Sequence, residues 1–119
     1  MVQWKTEIIE STANNAEIAN GASETFVIPA LSMAEMRRRG LPFGYNAISV
    51  VDTAGAAGLT VRLNSGNNIQ TLVLPSNGAV TVEPEDGEYW QEITILNASG
   101  AAYAANKAFV NRSLKVRNG

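Results

Sequence analysis

Residues 59–64 read Leu59-Thr60-Val61-Arg62-Leu63-Asn64, three aliphatic side chains separated by three polar ones. That spacing has period two, the period of a strand, and it sets Leu59, Val61 and Leu63 inward with Thr60, Arg62 and Asn64 outward. Upstream, residues 46–52 are apolar and β-branched through Ile48, Val50 and Val51, and Thr53-Ala54-Gly55-Ala56-Ala57-Gly58 is a turn of small residues. Downstream, Ser65-Gly66-Asn67-Asn68 and Pro75-Ser76-Asn77-Gly78 bracket a strand over 69–74, and Val80 and Val82 share one face of the next. Glu85-Asp86-Gly87 makes another turn, after which residues 89–96 and 108–116 supply the last two strands. In the final one Val110, Leu114 and Val116 fall inward and Arg112 breaks the pattern.

Before this block, Val2, Trp4, Thr6 and Ile8 alternate with Gln3, Lys5 and Glu7, which predicts a first strand over residues 2–10. Residues 11–23 are mostly Ala, Asn, Ser and Gly with one large apolar residue, Ile18. So little apolar surface predicts an extended arm or long loop. Residues 24–28 are β-prone and stop at Pro29. One helix is expected over residues 32–39: Ser32 and Glu35 form a capping box, Leu31 and Met36 a hydrophobic staple. Arg37, Arg38 and Arg39 occupy its last turn, Gly40 the C′ position, and Pro42 prevents continuation. Eight short strands spaced near ten residues apart predict a mainly β fold, an antiparallel β-sandwich of jelly-roll type. The expected organisation is a strand and low-complexity arm over 1–23 and a sandwich domain over 24–119.

An internal echo accompanies this pattern. Residues 48–57, ISVVDTAGAA, match residues 93–102, ITILNASGAA, in alternation, in the Asp or Asn opening the turn and in its Gly-Ala-Ala close. Either two hairpins solved one turn problem with the same residues, or a pseudo-symmetric sandwich has two related corners.

The 119 residues contain no Cys and no His, which removes thiol and imidazole chemistry, disulfides and the common zinc ligand sets. No Walker loop, Gly-x-Gly-x-x-Gly or Gly-x-Ser-x-Gly occurs, so no enzyme activity and no cofactor are expected. Nine basic and eleven acidic residues leave a net charge of −2, the wrong sign for a general nucleic-acid footprint. No apolar run reaches the length of a signal h-region or a membrane span. The sequons at Asn97 and Asn111 arise easily by chance in a chain this rich in Asn and Ser.

Two charge clusters and two tryptophans are the candidate interface residues. Arg37, Arg38 and Arg39 are the densest positive charge and suit bidentate pairing with carboxylates or phosphates, or a solvated helix end. Glu83-Pro84-Glu85-Asp86-Gly87-Glu88 gathers four carboxylates in six residues. It suits a neighbour's arginines, a calcium ion or simple solvation, though its spacing fits no EF-hand loop. If the two clusters lie on opposite sides of the domain, head-to-tail contacts between copies close a ring. Trp4 and Trp90, with Tyr89, suit either packing or stacking on sugar rings.

Strand, Asp or Asn turn, small-residue tip, strand, Leu74-Pro75-Ser76-Asn77-Gly78, a valine-rich strand and an acidic Gly turn together resemble the small β-sandwich proteins of tailed-phage and related virus particles. The resemblance covers roughly residues 45–117 and is one of texture. It implies a capsid decoration or accessory head or tail protein, a homo-oligomer, commonly a trimer, bound to a major capsid protein, with the arm reaching across the shell. Localisation in the virion, with neither nucleic acid nor membrane as partner, follows from that reading. The alternative is a carbohydrate- or receptor-binding module of a tail or cell-surface protein.

Overall fold

The computed structural model describes residues 3–28, 46–83 and 90–118. The strands are β1 (Gln3–Ala13), β2 (Ser23–Val27), β3 (Asn46–Asp52), β4 (Leu59–Asn64), β5 (Ile69–Leu74), β6 (Ala79–Val82), β7 (Glu92–Asn97) and β8 (Ala108–Asn118). They form two four-stranded sheets, β1-β8-β3-β6 and β2-β7-β4-β5, antiparallel throughout. No helix occurs among the described residues, and the helix expected over 32–39 lies outside them.

The alternation read from residues 59–64 holds: Leu59, Val61 and Leu63 are fully buried, and Arg62 is exposed. β7 repeats it with Ile93, Ile95 and Asn97 inward. Facing them from the first sheet are Ile48, Val50, Ala108 and Val110, with Val80 and Val82 packed against the same cluster. Both sheets thus share one apolar core, an arrangement compatible with a β-sandwich. Arg112 follows the alternation of β8 and is buried beside Val110.

Of the two readings of the echo, the strand connections fit inter-sheet corners and not hairpins. The turn after β3 carries the chain from the first sheet to the second, and the loop after β7 carries it back. Among consecutive strands, β4 and β5 are hydrogen-bonded neighbours and the other connections change sheet. The echoed segments are therefore two inter-sheet corners. Each is locked by the residue that opens it: Asp52 Oδ1 accepts from the Ala54 amide at 2.9 Å and Asn97 Oδ1 from the Ser99 amide at 3.0 Å. These are Asx turns, in which a short polar side chain substitutes for a backbone partner.

The corners touch. Gly58 has φ +96°, and a Cβ there would lie 2.7 Å from the carbonyl oxygen of Ala98. The Ala98 amide itself donates to the Gly58 carbonyl at 3.0 Å, so neither backbone is free to withdraw. Gly58→Ala is expected to lose about 2–3 kcal/mol through backbone strain and this close approach. A fall in Tm on the order of 10 °C measures it; an unchanged Tm contradicts the corner packing.

The Ala/Asn-rich segment is not a free arm. Residues 11–13 extend β1 against β8, Asn14 is fully buried, and Ile18 sits in the core, bridged to Tyr103. Counting apolar bulk underrated it because its order comes from hydrogen bonds. Asn14 Nδ2 donates to the carbonyls of Ala16 and Ala104, and its Oδ1 accepts from the amides of Lys107 and Ala108. A buried Asn with both ends satisfied fastens one loop to another without apolar area.

Candidate functional site

Alternation along the second sheet leaves twelve side chains on its outer face, and the strand registers arrange them in three rows. The rows are Ser23, Leu96, Thr60, Val73; then Thr25, Thr94, Arg62, Thr71; then Val27, Glu92, Asn64, Ile69. The centre is hydroxyl-rich, with Thr25 Oγ1 3.0 Å from Thr94 Oγ1 and Arg62 set between Thr94 and Thr71. Around it stand the exposed large hydrophobics: Val27 and Val73 at 73%, Ile69 at 62% and Leu96 at 40%. Single exposed hydrophobics are ordinary on protein surfaces, but four on one sheet face around an arginine have the composition of a protein contact.

A shallow groove of about 200 Å³ crosses this face, lined by Ser23, Thr60, Arg62, Thr71, Thr94 and Leu96. Small-molecule sites usually enclose about 300–1,000 Å³. The groove is better matched to a side chain or strand laid across the face than to an engulfed ligand.

Glu24 lies at the edge of the same sheet, on the inner side with Phe26, and its Oε2 is buried without a hydrogen-bond partner. Burial pushes its carboxyl above the ordinary carboxylate range. A raised pKa means that folding favours the protonated form, so this contribution is present at acid pH and lost as pH rises through the folded value. Glu24→Gln is expected to stabilise the fold at pH 7 by about 0.3 kcal/mol and to leave it unchanged near pH 3. Urea midpoints at the two pH values check the sign.

The second polar constellation is structural. Asp52, at 2% exposure, accepts from the Tyr103 hydroxyl at 2.5 Å and from the amides of Ala54, Ala56 and Asn77 at 2.9–3.0 Å. Burial raises its pKa, but these four donors outweigh it and hold the carboxyl below its usual range. Burial, followed by the bond to Asp52, pushes the Tyr103 phenol upward. With both carboxylate oxygens already accepting, Asp52 offers nothing to a substrate. Asn97 is equally enclosed, its Nδ2 donating to the carbonyls of Ile18 and Ala101 at 2.8 Å. That amide nitrogen is occupied inside the fold and unsuited to carry a glycan.

Of the residues singled out from sequence, Arg37, Arg38, Arg39, Glu85 and Asp86 lie outside the described residues, as does Tyr89. Glu83 is exposed directly after β6, and Trp4 stands in β1 opposite Arg117. Trp90 is 2% exposed, its ring in the core and its Nε1 donating to the Val82 carbonyl at 3.2 Å. A ring so placed presents no face for stacking on a sugar. Among the described residues no group of three or more His, Cys, Asp or Glu is arranged to hold a metal, and no helix is long and apolar enough to cross a membrane.

No known family, curated protein or solved structure significantly matches this chain. The outer face of the second sheet therefore rests on its own geometry. Sequence reading placed Arg62 outward but overlooked the face it belongs to. The signal was in residues 69–74, IQTLVL, where large apolar residues occupy both alternating sets and the set opposite Leu72 and Leu74 needs another partner.

Proposed function

We propose that the chain is a virion structural protein, a capsid decoration or surface protein working as a homo-oligomer attached to a capsid lattice. The observation that carries the reading is the outer face of the second sheet, whose apolar rim and central Arg62 suit contact with protein. The strand wrap supports it. β1 pairs with β8, β2 with β7, β3 with β6 and β4 with β5, a nested order that supports the expected jelly roll. That architecture recurs in viral capsid and lectin domains. It is shared by unrelated functions, so the weight stays on the face. Arg37, Arg38 and Arg39 and the acidic Glu83, Glu85 and Asp86 would add charge-matched contacts between copies or to the major capsid protein.

The sugar-binding alternative has less support, because none of the twelve outer-face residues is aromatic. Immunogold labelling of intact virions from the source, with light scattering of the purified chain, separates the two. Regular labelling of particles and an assembly larger than one chain are expected. Unlabelled particles together with a monomer that binds saturably on a glycan array would overturn the proposal.

A further inference from the structure

Among the described residues the two sheets have four edges, and an edge left unguarded pairs with other strands. Three edges here carry a safeguard. β1 is interrupted by a bulge between Ile8 and Glu10, and its sequence includes Lys5, Glu7 and Glu10. β6 is four residues long. β2 turns Glu24 to its inner side, so a strand added there would enclose a carboxylate that already lacks a partner for one oxygen. β5 has none of these: its six residues, IQTLVL, contain no charge and no proline, and its ladder with β4 is regular.

The hydrogen-bond alternation decides which groups β5 offers. The Ser65 amide donates to the Asn68 carbonyl, so 65/68 is a bonded pair and 63/70, 61/72 and 59/74 follow at every second step. The amides and carbonyls of Ile69, Thr71 and Val73 consequently point away from β4, to an edge on which no described strand pairs. Their side chains lie on the outer face, with the exposed Ile69 and Val73 placed symmetrically about Thr71.

We infer that β5 pairs antiparallel with β5 of a second copy about a two-fold axis through Thr71. Thr71 then meets Thr71 of the second copy, and Ile69 meets its Val73 on both sides of the axis. Six backbone hydrogen bonds close, and each exposed aliphatic residue gains an aliphatic neighbour. A slip of one residue sets outer side chains against inner ones, and a slip of two separates both aliphatic pairs. The Arg62 side chains end up three strand spacings apart, about 14 Å, beyond the physiological Debye length of about 8 Å. A foreign strand would satisfy the backbone equally, but the two-fold placement of Ile69 and Val73 and the lack of any repelling charge favour the same chain. Six residues a side fall short of the about 1,200 Å² of standard stable complexes, so the dimer is concentration-dependent. This contact deepens the assembly reading and rests on it only in taking the partner to be another copy.

Sedimentation velocity of the full chain over a concentration series is expected to show a monomer–dimer equilibrium. Thr71→Lys sets two ammonium groups directly opposite each other and should weaken dimerisation at least about tenfold. Thr25→Lys, on β2, should leave it unchanged, and Tm confirms that both variants fold. In this cysteine-free background, Thr71→Cys should form a disulfide dimer on mild oxidation, because paired Cα atoms about 5.5 Å apart suit the bond. Val73→Cys alone should not, whereas a mixture of Ile69→Cys and Val73→Cys should. A chain monomeric at every concentration, a dimer indifferent to Thr71→Lys, or Val73→Cys cross-linking as readily as Thr71→Cys would each overturn the edge contact. Labelled virions alongside any of these results would leave the assembly reading standing, and an edge dimer with unlabelled virions would do the reverse.

Discussion

Asp52→Ala is expected to lose about 3–5 kcal/mol of stability. Four donors converge on that carboxylate: the Tyr103 hydroxyl and the amides of Ala54, Ala56 and Asn77. Each buried donor left without a partner costs about 1–3 kcal/mol, moderated where water enters. Domains have about 5–15 kcal/mol in total, so a large share of the native margin depends on one side chain. Tyr103→Phe, which removes one donor and leaves three, should cost about 1–2 kcal/mol. The pH dependence has a definite sign. Because the folded pKa of Asp52 is depressed, its contribution is complete above the ordinary aspartate value of about 3.9 and disappears as pH falls through the lower folded value. Asp52→Asn should therefore be less stable than the parent at pH 7 and should flatten the acid limb of the stability curve. Urea unfolding across pH 2–7 reads both; an Asp52→Ala midpoint within error of the parent contradicts the network.

Trp90→Ala is expected to cost about 3–5 kcal/mol, the usual range for emptying a core site of this size. Trp90→Phe keeps an aromatic ring but gives up the bond from Nε1 to the Val82 carbonyl, and should cost about 1–2 kcal/mol. The checks are denaturant midpoints, with emission of Trp90 in a Trp4→Phe background. Blue-shifted emission is expected from a ring 2% exposed, and an emission maximum typical of water would contradict its placement. One consequence concerns glycan binding: a loss of binding in Trp90→Ala reports a damaged core as readily as a lost platform. Trp4 is the informative position for that assay.

Period-two alternation in residues 59–64 and 92–97 was enough to orient the second sheet, because in a half-buried strand burial and sequence parity are the same variable. The echo between residues 48–57 and 93–102 was also legible, down to the Asp and Asn that open each turn. Its meaning was not: a turn of small residues serves a hairpin or an inter-sheet corner, and which occurs depends on strands far away in sequence. Asn14 shows a second limit. Apolar bulk is visible residue by residue, whereas the hydrogen bonds that order residues 14–22 come from a loop ninety residues on. The outer face of the second sheet escaped notice for a third reason. Its members come from four strands, and only the registers bring Arg62, Thr94 and Thr71 into one row.

The nested pairing of strands has a kinetic corollary. Among the described strands only β4 and β5 are both adjacent along the chain and bonded to each other, so their four-residue turn is the cheapest closure among them. Each later pair can form around the one before, β3 with β6, then β2 with β7, and β1 with β8 last, Gln3 beside Asn118. Chains wired through such distant partners commonly need milliseconds to seconds to reach the native state. During that interval the earliest hairpin carries the uncharged β5 bare on one side, which makes the order of events on the pathway a hazard for aggregation as well as a route to the fold.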